Sequence, residues 1–240
     1  MKINWNYIKG FLLLALVIFL YGFSYQKNNA IKVKDVLVEF EAGKNLFMNY
    51  QMVNKLLIQN GATVKNQAKS VIDLQLLEKK VLSHPMVEDA AIYLTVDGLL
   101  KADIKQRTPI ARVLSETGSY YIDKQAKKMP LSENHSARVM LVSGGINEVD
   151  IKKIHFLVTT ILNDNFFEKQ IIGIQKESNN EFVLSTRIGD QKIFLGKIED
   201  LDQKLKNLKS FYSKTMADKS IDNYISINLK YSNQVVCTKK

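Results

Sequence analysis

The chain has 240 residues, 46% of them hydrophobic and 24% charged, which is typical of a protein that buries a core and excludes a disordered chain. Only 11 Gly and 3 Pro exclude a collagen-like or low-complexity protein, and a single Cys excludes an internal disulfide framework or a thiolate metal cluster. The net charge of +10 is spread as +2 over residues 1–26, +3 over 27–108 and +5 over 109–240, which favours a generally basic surface over a nucleic-acid-binding arm.

The first predicted element is an apolar helix near the start of the chain. Residues 10–26 carry no charged side chain, and lysines stand before and after them. At about 1.5 Å per residue these 17 residues form a helix roughly 26 Å long, close to the roughly 30 Å of a bilayer's hydrocarbon core. We therefore predict a short cytoplasmic tail at 1–9, a transmembrane anchor at 10–26 and an exported remainder. The alternative is a cleaved signal peptide, since Gly22 and Ser24 form a small-x-small site, and this alternative also exports residues 27–240.

Residues 27–108 predict a small mixed domain in the order strand, helix, helix, strand, strand. The two helices follow Asn49 and Asp73, whose side chains can accept hydrogen bonds from the first helical turn. Asp97-Gly98 is the strongest short hairpin signal in the chain. The predicted bounds are a strand at 31–40, a helix from Asn49 to a stop at Asn60-Gly61, a helix from Asp73 to a stop at Ser83-His84-Pro85, and strands at 87–96 and 99–106.

Residues 109–240 predict a larger β-rich domain with helices covering one face of its sheet, which makes the fold class α+β. Gly189-Asp190 favours a two-residue type II′ turn between two of the strands. The helices show apolar side chains at spacings of three and four. The predicted bounds are strands at 120–122, 138–142, 182–188 and 191–195, a helix at 148–163, and a last helix marked by Ile198, Leu201, Leu205, Leu208 and Phe211.

The C-terminal strand, predicted at 224–232, is the element most informative about function. Its apolar positions alternate strictly with polar ones, so that one face is buried. At or next to the edge of a sheet, the unpaired backbone groups of such a strand form a template on which a strand of another protein can add. The side chains expected to point inward are Ile225, Ile227, Leu229 and Tyr231, and those expected to point outward are Ser226, Asn228, Lys230 and Ser232.

No pattern in the chain predicts a catalytic, cofactor or metal site. His84, His135 and His155 fall in a helix-stop turn, a polar loop and a helix, without the spacing of paired metal ligands. There is no nucleophile motif and no phosphate-binding glycine loop. Cys237 stands beside Val235 and Val236, and we interpret it as a small strand residue rather than a nucleophile.

Four blocks of the sequence resemble the FtsQ/DivIB family of bacterial cell-division proteins. The stretch LLEKKVLSHPMVEDAAIYLTVDGLLKADIKQRTPIARV is similar to the exported POTRA domain of that family. Downstream, YYIDKQAKKMPLS, FLGKIEDLDQKLKNLKSFY and YISINLKYSNQVV are similar to the hairpin, helix entry and terminal strand of the family's β domain. The positions on the POTRA pattern are Leu82, His84, Pro85, Val87, Ala90, Ile104, Arg107, Pro109 and Ala111.

The resemblance implies a non-enzymatic divisome scaffold in the bacterial inner membrane, single-pass, with most of the chain extracytoplasmic, at the division septum. It implies that this scaffold links early and late division proteins, binds the FtsB/DivIC–FtsL pair, contacts FtsK and the septal synthase FtsW/FtsI, and helps control septal peptidoglycan synthesis. In the family the aromatic of the terminal motif lies in the partner contact, which corresponds here to Tyr231 with Lys230 and Ser232 beside it. The partner-binding residues expected on this strand are Ser226, Asn228, Lys230, Tyr231 and Ser232. The alternative is that Tyr231 is an ordinary core residue.

Arg107 and Pro109 are expected at the junction of a POTRA domain at 27–108 and a β domain at 109–240. Family use of the POTRA domain implies a recruiting surface, while the structural alternative is a hinge in which Arg107 pairs with backbone carbonyls. Two residues depart from the family pattern. Ala126 replaces a Gly, so we expect no left-handed residue in that turn, and Gln106 replaces a Glu, which removes a charge partner.

Two other function classes remain open from the residues. One is an exported wall-modifying hydrolase whose catalytic residues form no recognisable motif. The other is an outer-membrane assembly factor with a POTRA domain, which is disfavoured because no run of amphipathic barrel strands follows.

Overall fold

The computed structural model describes residues 5–41, 47–59, 61–115, 118–231 and 234–240. The chain divides into two compact units, Met1–Gln106 and Arg107–Lys240. Helices and strands are mixed in both, and an apolar helix stands near the N-terminus, which confirms the α+β class.

The first unit begins with helix α1, Trp5–Asn29, which is longer than the predicted 10–26. Its 25 residues measure about 37 Å, and Ile8–Asn29 is long and apolar enough to cross a membrane. Lys9 and Lys27 do not end the helix, because a lysine side chain can extend along the helix to carry its charge out of an apolar layer. Lys27 also lies in the last turn, where a cation complements the helix dipole.

The rest of the first unit has the predicted order of elements around a three-stranded sheet. In that sheet β5 lies in the middle, parallel to β1 and antiparallel to β4. Two short strands, β2 and β3, form a separate antiparallel pair. The bounds are β1 Asp35–Phe40, α2 Tyr50–Leu56, β2 Ile58–Gln59, β3 Ala62–Thr63, α3 Leu74–Leu82, β4 Val87–Leu94 and β5 Leu99–Gln106.

The predicted N-caps of this unit are confirmed. Asn49 Oδ1 accepts from the Met52 N–H and Asp73 Oδ1 accepts from the Leu76 N–H, each at 2.9 Å. The predicted hairpin glycine is also confirmed, since Gly98 has φ +90 and a Cβ there would lie 2.8 Å from the Lys32 carbonyl oxygen.

Three predicted bounds in this unit are wrong. The strand predicted at 87–96 ends at Leu94. The first strand begins at Asp35 instead of residue 31, because Lys32 forms a separate bridge with Ala68. Helix α2 ends at Leu56, before the predicted stop, where the short strand β2 takes over the backbone pairing. Of the two residues of the predicted stop, Asn60 lies outside the described residues and Gly61 has a φ of +76.

The second unit is built on a nine-stranded mixed sheet. The strand order is β14-β13-β12-β11-β10-β9-β6-β7-β8, with β6, β9 and β10 parallel to one another. The bounds are β6 Pro109–Ser115, β7 Gly118–Asp123, β8 Lys128–Pro130, β9 Met140–Ser143, α4 Glu148–Leu162, α5 Asn165–Gln170, β10 Ile171–Lys176, β11 Phe182–Thr186, β12 Lys192–Gly196, α6 Leu201–Ala217, β13 Tyr224–Asn228 and β14 Val236–Lys239.

The helices of this unit cover one face of its sheet, as predicted. Every third or fourth side chain of α4 and α6 is buried in a single hydrophobic core with the inward residues of the strands. Complete burial of a Leu or Ile side chain stabilises the fold by about 1.5–3 kcal/mol. The fully buried helix residues in this core include Ile154, Leu157, Val158, Ile161, Leu208 and Tyr212.

The predicted two-residue turn at Gly189-Asp190 is wrong, because strands β11 and β12 are joined by the five residues 187–191. The strand β11 ends at Thr186, whose hydroxyl donates to the Gly189 carbonyl at 2.7 Å. The next N–H, that of Arg187, donates to the Gln170 carbonyl at 2.7 Å instead of continuing the hairpin.

The expectation for Ala126 is also wrong. Its φ is +60, so the turn between β7 and β8 does contain a left-handed residue. Asp123 holds this turn, because its Oδ1 accepts from the N–H groups of Gln125 at 2.9 Å and Lys127 at 2.7 Å. These bonds keep a conformation that a Cβ disfavours.

Candidate partner-binding surface

Strand β13 lies inside the sheet, so the expectation that strand 224–232 offers an unpaired edge to a partner is wrong. It pairs in parallel with β12 on one side and antiparallel with β14 on the other. The ladder continues one residue further, where the Leu229 N–H donates to the Phe194 carbonyl at 2.9 Å. The backbone of this strand is therefore already used by the chain itself.

The unpaired edge belongs to β14. The sequence placed Cys237 in a strand but did not predict that this strand is the outermost one. Among the described residues, no strand pairs with the outer side of β14. Val236, Thr238 and Lys239 have exposed side chains on it. The signal that could have found it is the β-rich run at 235–238, which follows a polar turn.

Tyr231 does not point into the core. Ile227 and Leu229 are fully buried as predicted, whereas Ile225, which was also predicted to point inward, is 50% exposed. Tyr231 is 53% exposed, so the alternation stops at Leu229. The cause is a local turn, because the Lys230 N–H donates to Asn228 Oδ1 at 2.9 Å and β13 ends at Asn228. The apolar end of this segment is thus a tyrosine facing solvent.

The other predicted site residues that the structure describes lie close to the unpaired edge of β14. Ser226 and Asn228 are half-buried on the face opposite Ile227, and the register pairs them with Thr238 and Val236 of β14. Ser232 lies outside the described residues. We call the outer side of β14, with Ser226, Asn228, Lys230, Tyr231 and Val236, the C-terminal surface.

Lys230 forms an ion pair with Glu181. The hydrogen bond from Lys230 lowers the pKa of the Glu181 carboxyl. Glu181 directly precedes β11. The ion pair therefore ties the segment that carries Tyr231 to the neighbouring part of the sheet.

Cys237 is a packing residue of β14. Its side chain is half-buried against the core of the second unit, and burial raises the pKa of its thiol. Because the thiolate is the reactive form, this environment disfavours nucleophilic chemistry. Across the described residues, no group of three or more His, Cys, Asp or Glu is arranged to hold a metal ion.

Comparison with known families decides what the second unit is. The model of the family described as FtsQ/DivIB, C-terminal related, matches residues 108–238, more than half of the chain. The chain belongs to the FtsQ/DivIB family. A POTRA-like domain model matches residues 31–105, in the first unit. No curated protein matches the chain.

Membership of the FtsQ/DivIB family confirms the resemblance and gives the protein the general role of a division-protein scaffold. The family fits a single-pass membrane protein, as does α1, the one helix among the described residues that is long and apolar enough to span a membrane. The C-terminal surface falls almost wholly within the region that the FtsQ/DivIB model matches.

The two predicted junction residues lie at the start of the FtsQ/DivIB region. Arg107 Nη1 donates to Asp123 Oδ2 at 2.7 Å and to Gln125 Oε1 at 3.2 Å, with both charged side chains buried. The expected backbone-carbonyl partners of Arg107 are wrong, because Asp123 offers a carboxylate. Pro109 is the first residue of β6, a position where a strand tolerates proline.

Gln106, which stands where the FtsQ/DivIB pattern has Glu, has a structural role that the pattern does not predict. Its Oε1 accepts from the N–H groups of Phe47 at 3.1 Å and Met48 at 3.2 Å. The amide oxygen thus holds the chain that leads into α2 against the end of β5.

Proposed function

We propose that this protein is a non-enzymatic scaffold of the divisome that binds the FtsB/DivIC–FtsL pair through its C-terminal surface. The observation that carries the proposal is the combination of an outermost strand, β14, with an exposed tyrosine on the segment before it. Both features lie in the region that defines the family. An exposed strand edge is a surface that folded proteins normally protect, so it is a candidate for recognition.

Binding occurs by strand addition in this proposal. An extended segment of the partner pairs with the outer backbone groups of β14, and these hydrogen bonds supply affinity. Val236 and Tyr231 offer exposed apolar contacts beside that edge. Tyrosine is among the residues most enriched in interface hot spots, because it buries a large ring and retains a polar hydroxyl.

The anchor adds to binding by confining the protein. In our proposal α1 spans the cytoplasmic membrane and residues 27–240 are exported at the septum. Partners held in the same membrane then meet the C-terminal surface at a raised effective concentration. The POTRA-like region serves recruitment through contacts with FtsK, and the assembled complex contacts FtsW/FtsI to help control septal peptidoglycan synthesis.

The test replaces Tyr231 with Ala in the full chain and measures co-purification and affinity of the FtsB/DivIC–FtsL pair. We expect affinity to fall about tenfold or more, as for loss of a hot-spot aromatic. The matched control is Tyr231→Phe, which keeps the ring and should retain most of the affinity. Thermal unfolding should be unchanged in both variants, because the side chain is exposed.

Hydrogen exchange of the wild-type complex tests the mode of binding. Strand addition predicts that amides of β14 gain protection when the pair binds. Full affinity in Tyr231→Ala, together with unchanged exchange in β14, would reject the C-terminal surface as the binding site.

A further inference from the structure

A concave surface, separate from the C-terminal surface, lies at the end of the sheet opposite to Lys230. Strands β6, β9 and β10 run parallel, so their amino ends meet at one side of the sheet. Asn228, two residues before Lys230, lies in one row across the sheet with Val183, Gln175 and Ser143. Gln175 and Ser143 lie at the carboxyl ends of β10 and β9, so Lys230 lies beside the other end of the sheet. The two surfaces are therefore separated along the length of the strands.

The concavity is about 630 Å³ in volume and mainly aliphatic. This volume is in the range of pockets that hold ligands or inserted side chains. Leu141 and Ile172 in its wall are 46% and 41% exposed, although they lie on central strands. Its apolar lining is made by Ile110, Met140, Leu141, Leu162, Ile171 and Ile172.

Three cations surround this apolar lining. Lys124, Arg138 and Arg187 border the concavity, against a single acidic residue, Glu168. All four side chains are exposed, and none of them forms an ion pair within the described parts of the chain. We call this concavity with its three cations the basic basin.

Hydrogen bonds fix the backbone of two of the cationic residues. The Lys124 N–H donates to the Thr108 carbonyl at 3.1 Å, and the Lys124 carbonyl lies 2.9 Å from His155 Nε2. The Arg187 N–H donates to the Gln170 carbonyl at 2.7 Å. A charged ligand would thus meet positive groups whose backbone positions are fixed before it binds, which lowers the entropy lost on binding.

We propose that the basic basin binds a short polypeptide segment in which apolar side chains are flanked by carboxylates. The apolar side chains fill the aliphatic concavity, and the carboxylates pair with the guanidinium groups of Arg138 and Arg187, which suit two-point contact with a carboxylate. A concave site favours inserted side chains over the flat surface of a bilayer. This goes beyond the proposed function, because it gives the protein a second docking surface that can be occupied while the C-terminal surface is bound.

The test measures fluorescence anisotropy of the full chain in neutral detergent with fluorescein-labelled peptides of twelve residues. One panel carries a Leu-Ile pair flanked by two to four Glu residues, and a matched panel carries Gln at the same positions. We expect the Glu panel to bind at least about tenfold more tightly than the Gln panel, as for charge-assisted contacts, with affinity falling as salt is raised.

The decisive variant is Arg138→Glu/Arg187→Glu, which should weaken binding of the Glu panel by at least about tenfold. The control is Lys206→Glu/Lys214→Glu, which makes the same change in net charge at exposed positions of α6 outside the basin and should have little effect. Binding of the FtsB/DivIC–FtsL pair should be unchanged in both double variants, which separates this proposal from the function proposed above.

Three outcomes overturn the proposal. The first is a Glu panel that does not bind the wild type, and the second is equal weakening by the basin variant and the control. The third is a basin that binds phosphatidylglycerol added to the micelles, with loss in Arg138→Glu/Arg187→Glu, while no peptide binds. That result would assign the basin to anionic lipid.

Discussion

Ala126 shows how a single residue can be held in an unfavourable conformation by its neighbours. Its φ of +60 costs roughly 1–2 kcal/mol for a residue with a Cβ. The side chain of Asp123 fixes the turn through two backbone hydrogen bonds, and its other oxygen accepts from buried Arg107. The carboxylate thus connects the first residue of the second unit to the turn that contains the strained alanine.

We predict that Ala126→Gly stabilises the second unit by up to about 1 kcal/mol. Glycine relieves the strain at positive φ, and the greater freedom of the unfolded glycine chain offsets part of that gain. The measurement is urea unfolding of the full chain in detergent, followed by near-ultraviolet circular dichroism of its buried tyrosines.

The matched control is Ala217→Gly in the last turn of α6. Ala217 is the last helical residue, so the same change adds freedom to the unfolded chain without relieving strain, and we expect a loss of up to about 0.5 kcal/mol. Equal losses in the two variants would contradict the assignment of strain to Ala126.

At the scale of elements, a buried ion pair fixes the start of α4 to strand β10. Lys176 Nζ donates to Asp150 Oδ2 at 2.7 Å and to the Gly145 carbonyl at 3.1 Å. Both charged side chains are over 90% buried. Burial acts to raise the pKa of the Asp150 carboxyl, but the hydrogen bonds from Lys176 and the Asn147 N–H bring it below its usual value.

We predict that Lys176→Met destabilises the second unit by about 3 kcal/mol, because Asp150 remains buried without its cation. The pH dependence should also weaken. In the wild type the lowered pKa of Asp150 contributes stability that is fully present above the unfolded value, 3.8, and is lost as the pH falls from there through the lower folded pKa. The variant keeps the Asn147 N–H but loses the hydrogen bond and the charge of Lys176, so less stability should be lost between about pH 6 and pH 3 than in the wild type.

Urea unfolding across this pH range measures both effects. The control is Asp150→Asn/Lys176→Met, which removes both charges and should lose far less stability, with little slope from this site. A single variant as stable as the double one would show that the pair is not effectively buried.

Elements with local signals could be predicted from the sequence, whereas pairing across the sheet could not. Asn49 and Asp73 cap their helices and Gly98 makes its hairpin turn, because each signal acts within a few residues. The position of β13 between β12 and β14 depends on residues far apart in the chain. Side-chain alternation indicates which face of a strand is buried and carries no information on which strand is outermost.

The candidate site was predictable to the same degree. The apolar pattern placed Ile225, Ile227 and Leu229 in the core, and of these Ile227 and Leu229 are buried whereas Ile225 is 50% exposed. It placed Tyr231 there as well, because the pattern does not register the bond from the Lys230 N–H to Asn228 that ends the strand. The basic basin left no local pattern, since its residues come from strand starts, loops and helices spread between residues 109 and 187.

At the scale of the whole molecule, the apolar helix α1 is joined to the rest of the first unit by a very short connection. Helix α1 ends at Asn29, and Lys32 already pairs with Ala68. The Lys69 N–H donates to the Ile31 carbonyl at 2.8 Å, so the chain is held again within two residues of the helix end. The rest of the first unit therefore has little freedom to move away from α1.

We predict that inserting twelve Gly/Ser residues after Asn29 weakens capture of the FtsB/DivIC–FtsL pair in bilayers severalfold. Such a linker has a root-mean-square length of about 20 Å, and the added volume lowers the effective concentration of the C-terminal surface at the membrane. Affinity should be unchanged when the partners are in separate detergent micelles. The control inserts the same linker after exposed Glu133, and equal capture by the two insertions in bilayers would contradict the prediction.

Within the part of the chain that the structure describes, strand β14 is bonded to a neighbouring strand on one side only, which has a consequence for turnover. A strand of this kind separates from its sheet more readily than the central strands, and separated backbone is what proteases cleave. The tail after Leu229 is therefore where degradation of the folded protein is expected to begin. A polypeptide bound along β14 would slow that first cut, so that copies engaged in a complex outlive idle ones.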